Sequence, residues 1–167
     1  MRRWIIADTH FGHSNILKHC RRPADADQLI IKTWQRLVAP DDLVYHLGDA
    51  AWGFMCKDGE LKRLIDSLPG TKFLIRGNHD TRGNEFYLKN GFSSVCAGLE
   101  TSNVYLSHVP QERIPRNCGL NVHGHLHNNK TQDHKEFPHC RLFALEYEDY
   151  SPRIFEKFCK WSGKVVD

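Results

Sequence analysis

The chain has 167 residues, of which 40% are hydrophobic and 26% are charged, with a net charge of +3, and this predicts one soluble domain over residues 1–167. No apolar run reaches the roughly 18 residues that span a bilayer, so no membrane partner is expected. Basic and acidic residues are interleaved, so nucleic-acid binding stays open but is not indicated. Six cysteines without a C-x-x-C pair or a secretory signal are typical of reduced thiols and favour a cytoplasmic location.

The first half of the chain alternates strand-like and helix-like segments. Short apolar runs predict strands over residues 4–7, 43–47 and 72–75. Helices are predicted from a cap at Ser14 to residue 19, from Asp25 or Asp27 to about residue 38, over residues 61–68, and from Thr81 to about residue 90. This alternation predicts parallel strands joined by right-handed crossovers.

The second half is rich in strand-like segments. Strands are predicted around residues 94–96, 104–107, 119–123 and 142–147, and residues 152–161 are interpreted as a short terminal helix or an irregular tail. A strand-rich half of this kind can pack as a second sheet against the first. The predicted fold class is therefore α/β.

Five polar clusters follow these apolar runs, mostly where a strand is predicted to end. They are Asp8-Thr9-His10, Gly48-Asp49, Gly77-Asn78-His79-Asp80, Ser107-His108 and Gly124-His125-Leu126-His127. In open α/β sheets, ligands bind at the carboxyl ends of the strands. Carboxylate, amide and imidazole groups suit divalent first-row metals better than a soft thiolate site does.

The spacing within the clusters supports a metal site. Asp8 and His10 are two residues apart, as are His125 and His127, so each pair can point the same way from an extended segment. A carboxylate that ends an apolar strand, as Asp49 does, has two oxygens and could bridge two ions. Taken alone, a D-x-H pair is more often a surface loop, and Asp49 could equally be a turn or cap residue.

The Gly77–Asp80 cluster is the most specific of the five. Asn78 can offer its amide oxygen to a metal, and His79 beside it can protonate a leaving group. Asp80 can accept a hydrogen bond from the other ring nitrogen of His79 and so fix its tautomer. The alternative is a simple turn in which Asp80 begins the next helix.

In this order, the D-x-H, G-D, G-N-H-D, S-H and G-H-x-H motifs resemble those of the calcineurin-like metallophosphoesterase family, over about residues 4–145. The resemblance implies a two-sheet β-sandwich flanked by helices and a centre of two divalent ions, whether Mn, Fe, Ni, Co or Zn. One ion would take Asp8, His10, Asp49 and His127. The other would take Asn78, His108 and His125, and Asp49 would bridge the two.

The resemblance also implies a chemistry. A metal-activated hydroxide would attack a phosphodiester or phosphomonoester, with His79 as the general acid and Asp80 as its orienting partner. The substrate would be a small phosphorylated molecule, such as a nucleotide.

The residues after Asp49 differ from those of two groups within the family, the protein phosphatases and the purple acid phosphatases. Ala50-Ala51-Trp52 follows Asp49 where protein phosphatases have D-R-G and purple acid phosphatases place a tyrosine. The chain is more similar to the small bacterial, archaeal and phage-type members. After the first motif, His13 and Asn15 are candidate substrate contacts, although a helix start capped by Ser14 explains this segment at least as well.

Two other functions compete with this one. The chain could be a nuclease acting on DNA or RNA, or a non-catalytic protein-binding scaffold on the same fold. A scaffold is expected to have lost ligands, whereas all seven ligand positions and His79 are present here.

Overall fold

The computed structural model describes residues 1–57, 59–128 and 137–160. Its strands are β1 (Arg3–Ile6), β2 (Leu43–His46), β3 (Thr71–Ile75), β4 (Ser94–Cys96), β5 (Gly98–Thr101), β6 (Val104–Ser107), β7 (Leu120–His123), β8 (Cys140–Leu142) and β9 (Arg153–Ile154). Its α-helices are α1 (Ser14–His19), α2 (Ala26–Leu37), α3 (Glu60–Ser67), α4 (Asn84–Lys89) and α5 (Phe155–Phe158). Single 3-10 turns lie at Gly53–Cys56 and Leu145–Tyr147.

The strands form two sheets, and helices flank them. The first sheet has the order β4-β3-β2-β1-β9, in which β1 to β4 are parallel and β9 is antiparallel to β1. The second has the order β5-β6-β7-β8, in which β6, β7 and β8 are parallel and β5 is antiparallel to β6. The predicted two-sheet α/β class and the parallel pairing of the first-half strands are confirmed.

One connected hydrophobic core joins the sheets and helices. Ile6 of the first sheet and Val122 of the second are fully buried in it. Helix α2 contributes Ile30 and Trp34, which lie one turn apart on its inner face and are also fully buried. The Trp34 indole N–H donates to the Pro69 carbonyl, 3.0 Å away, so this large side chain is buried without losing its hydrogen bond.

Several element boundaries differ from those predicted. Helix α4 begins at Asn84 and not at Thr81, because the chain first makes a turn in which Thr81 N–H donates to the His79 carbonyl. The strand predicted over residues 142–147 is instead β8, which ends at Leu142, followed by a 3-10 turn. Strands β5 and β9 were not predicted. The tail predicted over 152–161 contains β9 and α5, and its last residue lies outside the described part of the chain.

Within the described ranges, no helix has the length and apolar character needed to cross a membrane. The six cysteines are all free thiols.

Asp42, just before β2, ties the N-terminal segment to the turn before β2 through its buried carboxylate. It accepts hydrogen bonds from the backbone N–H of Arg2 (2.6 Å), the indole N–H of Trp4 (2.8 Å) and the backbone N–H of Ala39 (3.0 Å). Burial alone would raise the pKa of this carboxyl, but these hydrogen bonds and the Arg2 side chain lower it to about 2. Asp42 therefore stabilises the folded state as a carboxylate.

The Asp42→Ala variant is expected to lose about 2–3 kcal/mol of unfolding free energy at pH 7, because the Trp4 indole and two backbone donors lose their acceptor. Urea denaturation measures this, with exposed Asp41→Ala as the control. Because the folded pKa lies below the ordinary value of 3.8, the contribution is complete above about pH 4 and disappears as the pH falls towards about 2. A difference between the two proteins that stays constant over that interval would contradict this role.

Candidate metal centre

Five loops meet where strands of both sheets end. Three follow β1, β2 and β3, which are parallel in the first sheet, and two follow β6 and β7, which are parallel in the second. Parallel strands present their carboxyl ends at the same edge of a sheet, so side chains from distant parts of the sequence meet there. The loops carry the seven residues predicted as metal ligands: Asp8, His10, Asp49, Asn78, His108, His125 and His127.

The backbone of these loops is strained. Five of the seven predicted ligands have positive φ angles, between 47° and 71°: Asp8, His10, Asp49, His125 and His127. This left-handed region costs an ordinary residue about 1–2 kcal/mol, although aspartate and histidine tolerate it better than most. Hydrogen bonds of 2.9 Å, from Asp8 N–H to the Gly48 carbonyl and from His10 N–H to the Asp49 carbonyl, hold two of the loops together. Strain concentrated in this way is typical of a functional site.

The side chains form two groups of potential metal donors. Asp8, His10 and His127 make the first group, and Asp49, His108 and His125 make the second. In each group, one ligand atom per residue lies within 4.8 Å of the others. Each group combines a carboxylate with two imidazoles, which is a suitable donor set for a divalent first-row metal.

The Asp49 carboxylate lies between the two groups. Its Oδ2 is 3.4 Å from Nε2 of His10 in the first group and 3.5 Å from Nε2 of His108 in the second. Its Oδ1 accepts a hydrogen bond from the backbone N–H of His79 at 2.9 Å. One oxygen thus anchors the side chain, while the other faces both groups.

Asp8 is held in the same manner. Its Oδ2 accepts a hydrogen bond from the backbone N–H of His125 at 2.9 Å, whereas its buried Oδ1 has no hydrogen-bond partner among the described residues. Nε2 of His10 is likewise buried and unpartnered there. Because leaving buried polar atoms unpaired is costly, these atoms indicate a ligand, and a cation would satisfy them.

Around His108, several atoms that accept hydrogen bonds converge. Its Nδ1–H donates to the Leu47 carbonyl at 2.8 Å, and burial lowers its pKa, so the ring is neutral and Nε2 carries a lone pair. That Nε2 lies 2.9 Å from Oδ1 of Asn78, 3.1 Å from Nδ1 of His125 and, as above, close to Asp49. The lone pairs on these nitrogen and oxygen atoms repel one another, and a cation placed among them would instead be coordinated by them.

The electrostatics of the centre also fit a cation. Burial raises the pKa of Asp8 to about 7, although His127 opposes this, and burial also raises the pKa of Asp49. Burial and nearby positive charges lower the pKa of His10, which keeps the ring in its neutral, metal-binding form. Buried carboxylates that resist ionisation would be stabilised by a bound cation. The residues present therefore fit divalent metal ions.

Two glycines allow the loops to approach each other. A Cβ at Gly77 would collide with the Asp49 carboxylate, and a Cβ at Gly124 would collide with that of Asp8. Any side chain at either position would displace a predicted ligand, which explains why glycine precedes Asn78 and His125.

The comparisons with known proteins agree with this geometry. The sequence profile of the calcineurin-like phosphoesterase family matches residues 1–161. The chain belongs to the calcineurin-like phosphoesterase family. The fold is consistent with this family, as predicted.

Its relatives include an uncharacterized protein of Methanocaldococcus jannaschii, which is 33% identical over 98% of this chain and 93% of that protein. The gene 66 protein of Mycobacterium phage L5 is 37% identical over 46% of this chain and 39% of its own length. A crystal structure of a protein of unknown function from Aquifex aeolicus superposes with a TM-score of 0.72 and 29% identity, covering 93% of this chain and 96% of that one. The residues around the two donor groups can therefore be compared with a metal-binding phosphoesterase site.

His79, for which the family resemblance implied a general-acid role, lies at the edge of the centre. Its side chain is 36% exposed, and its Nε2 is 3.9 Å from Oδ2 of Asp49. Together with His10 and Asp49 it lines an open cleft of about 410 Å³. The ring is therefore accessible to a molecule in the cleft while remaining next to the predicted bridging carboxylate.

The structure corrects the role predicted for Asp80. Its Oδ2 accepts hydrogen bonds from the backbone N–H groups of Asp49 and Gly77, both at 2.8 Å, and its Oδ1 accepts one from Ala50 at 3.1 Å. Within the described residues, no hydrogen bond joins this carboxylate to the His79 ring. Three backbone donors occupy the carboxylate, so Asp80 positions the loop of Asp49 against the loop of Asn78 instead.

The two roles predict different kinetics for an Asp80→Ala variant. We expect a loss of about 3 kcal/mol in unfolding free energy and weaker metal binding, because three buried donors lose a charged acceptor. Residual turnover should keep the wild-type dependence on leaving-group pKa, which assays on a series of aryl phosphoesters would measure. If the turnover of Asp80→Ala depended more steeply on leaving-group pKa than that of the wild type, Asp80 would after all orient His79.

The predicted substrate contacts His13 and Asn15 also line this cleft. The His13 ring stacks on Trp52, with ring centroids 4.7 Å apart, and its Nδ1 is 3.4 Å from Nδ1 of His10. The alternative interpretation, a helix start capped by Ser14, is correct only in part: α1 begins at Ser14, but its N-cap residue is His13 and no side chain caps it. The segment therefore both lines the cleft, through His13 and Asn15, and begins helix α1.

His46 and Thr9 link two loops of the centre, which the sequence did not indicate. The Thr9 hydroxyl donates to the Ala50 carbonyl at 2.7 Å, so it accepts from Nε2–H of His46 at 2.9 Å. Nδ1 of His46 accepts the backbone N–H of Gly48 at 3.2 Å, and burial lowers the pKa of this histidine to about 3. His46 appeared only as an interior residue of a predicted strand.

Arg22 and Glu146 are a second pair that the sequence did not single out. Both contact His127, and both are buried. Burial would raise the pKa of Glu146, but hydrogen bonding from His127 and the charge of Arg22 lower it to about 2. A usable signal did exist, since Glu146 directly follows the apolar run Phe143–Leu145, as Asp49 follows its own strand.

Proposed function

We propose that the protein is a phosphoester hydrolase that uses two divalent metal ions bridged by Asp49. The position of Asp49 Oδ2, within about 3.5 Å of a histidine nitrogen in each donor group, is the observation that carries this proposal. The proposed ligands of the first ion are Asp8, His10, Asp49 and His127, and those of the second are Asp49, Asn78, His108 and His125. Carboxylate, amide and imidazole donors support Mn, Fe, Ni, Co or Zn.

The proposed mechanism assigns separate tasks to the residues of the chain. When bound, two divalent ions supply a water of lowered pKa and neutralise the charge on phosphate oxygens. His79, partly exposed beside the cleft, donates a ring proton to the leaving-group oxygen. His13 and Asn15 line the same cleft and can hydrogen-bond to a phosphate or its substituent.

We propose a small phosphorylated substrate, with a phosphodiester such as a nucleotide derivative preferred. The openness of the cleft supports this, because a substituent on each side of the phosphorus can extend into solvent. Trp52 and Phe54, at 39% and 61% exposure, follow Asp49 closely in the chain and present aromatic surface to which a ring could bind.

Metal analysis combined with a substrate panel tests the proposal. Purified protein reconstituted with Mn²⁺ is expected to contain about two ions per chain and to hydrolyse bis-p-nitrophenyl phosphate faster than p-nitrophenyl phosphate. Cyclic nucleotides and single- and double-stranded DNA and RNA complete the panel. Faster cleavage of the polymers would establish a nuclease, and two ions without turnover on any substrate would overturn the hydrolase assignment.

A further inference from the structure

Behind His127, on the side away from the other donors of its group, lies a buried ion pair. The side chains of Arg22 and Glu146 are 0% and 4% exposed, and NH2 of Arg22 is 2.8 Å from Oε1 of Glu146. Removing two charges from water is costly, and a well-packed apolar pair is often equally stable. A buried pair at this place therefore calls for a role beyond stability.

The pair determines which nitrogen of His127 faces the metal centre. Oε1 of Glu146 is 3.2 Å from Nδ1 of His127, and Nε2 of the same ring is 3.9 Å from Oδ1 of Asp8. Two groups reach Nδ1: the carboxylate, which can only accept a hydrogen bond, and NH2 of Arg22, 3.3 Å away, which can only donate one. Because Arg22 already donates to Glu146 and to two backbone carbonyls, Nδ1 of His127 carries a proton and donates it to Glu146. Nε2 is then the nitrogen that faces Asp8, where a metal ligand is needed. Burial would lower the pKa of His127, but hydrogen bonding to Cys20 and Glu146 and the charge of Asp8 raise it to about 10, so a bound ion would displace the proton from Nε2.

Arg22 connects this arrangement to the rest of the first donor group. Its guanidinium donates to the backbone carbonyls of Asp8 at 2.8 Å and Thr9 at 3.2 Å, as well as to Glu146. The same side chain therefore holds the loop of Asp8 and, through Glu146, the ring of His127. The buried Arg22 guanidinium thus fixes the relative positions of three separate segments.

Another interpretation of this cluster is a third metal site. Ligand atoms of Cys20, His127 and Glu146 also lie within 4.8 Å of one another. Oε2 of Glu146 is buried with no hydrogen-bond partner among the described residues, but the Arg22 guanidinium is already 2.8 Å from Oε1 of the same carboxylate. A fixed positive charge at that distance opposes a second cation, so the cluster acts as support for His127 and not as an ion site.

The two donor groups differ in this respect. In the second group, a neutral backbone carbonyl, that of Leu47, orients His108, whereas in the first group a carboxylate orients His127. A carboxylate partner makes the metal-facing nitrogen of an imidazole more basic than a carbonyl partner does, and so makes it a stronger metal ligand. We infer that Glu146, held by Arg22, is a positioning residue that selectively raises the affinity of the Asp8–His10–His127 group for its ion, an inference that rests on the proposed two-ion function.

Metal binding by a Glu146→Gln variant tests this inference. Isothermal titration of Mn²⁺ into metal-free protein should show two ions on the wild type. The variant should bind one ion as the wild type does and the other about 10–100-fold more weakly. Glu148→Gln is the matched control, because Glu148 pairs with Arg153 nearer the surface, where both side chains are partly exposed, and its isotherm should be unchanged.

A second variant separates positioning from folding. Arg22→Lys keeps a positive charge but cannot make the same set of hydrogen bonds, so it should weaken the same ion by a smaller factor. Equal weakening of both ions in both variants, or unchanged affinities in Glu146→Gln, would overturn the inference while the two-ion function stands. Fewer than two ions on the wild type would overturn the proposed function and this inference with it.

Discussion

Replacing Asp49 with alanine is expected to abolish metal binding and hydrolysis together. In the proposed centre, Asp49 contributes to both ions, and its Oδ2 is the atom that lies near both donor groups. Loss of the charge stabilisation that the ions provide, several kcal/mol in size, corresponds to a decrease in turnover of at least about 1,000-fold. Elemental analysis and diesterase assays on the same preparation measure the two losses.

The effect should be local to the centre. In the metal-free protein, burial raises the pKa of Asp49 and disfavours its charge, so removal of the carboxylate should cost little stability beyond the hydrogen bond from His79 N–H. Asp66→Ala, on the exposed face of α3, serves as the control and should retain metal and activity. Full metal occupancy in Asp49→Ala would show that this carboxylate does not bridge.

Replacing His79 with alanine is expected to leave the metal content unchanged and to slow turnover selectively. His79 is not among the proposed ligands, and its ring lies beside Asp49 at the edge of the cleft. Loss of a general acid costs about 10²–10⁴-fold when the leaving group needs a proton. With p-nitrophenol, which leaves readily as an anion, the loss should be less than about tenfold.

A series of diesters with leaving groups of increasing pKa measures this selectivity. The slope of log kcat against leaving-group pKa should steepen in His79→Ala, and the p-nitrophenyl compound provides the internal reference. An equal loss across the whole series would assign His79 to binding or to charge stabilisation. Loss of one metal ion in the variant would instead make it a ligand.

The predicted elements show where local patterns suffice. Strands β4 and β6 begin and end at the predicted residues, and helix α1 ends at the predicted residue, because apolar periodicity and strand length are local properties of the chain. Strand β9, only two residues long, exists because Arg153 and Ile154 pair with β1 across the fold. No pattern within those two residues could have predicted it.

Polar residues that follow apolar strands are visible without a structure, so the family, the two-sheet α/β class and the candidate donors could all be predicted from the residues alone. The contacts that support those donors could not be predicted, because they depend on how the chain folds. Asp80 binds the backbone of the Asp49 loop and not its neighbour His79, and Arg22 reaches Glu146, 124 positions away. A carboxylate accepts whichever donors the folded chain brings within reach, and that choice depends on distances that no local spacing encodes.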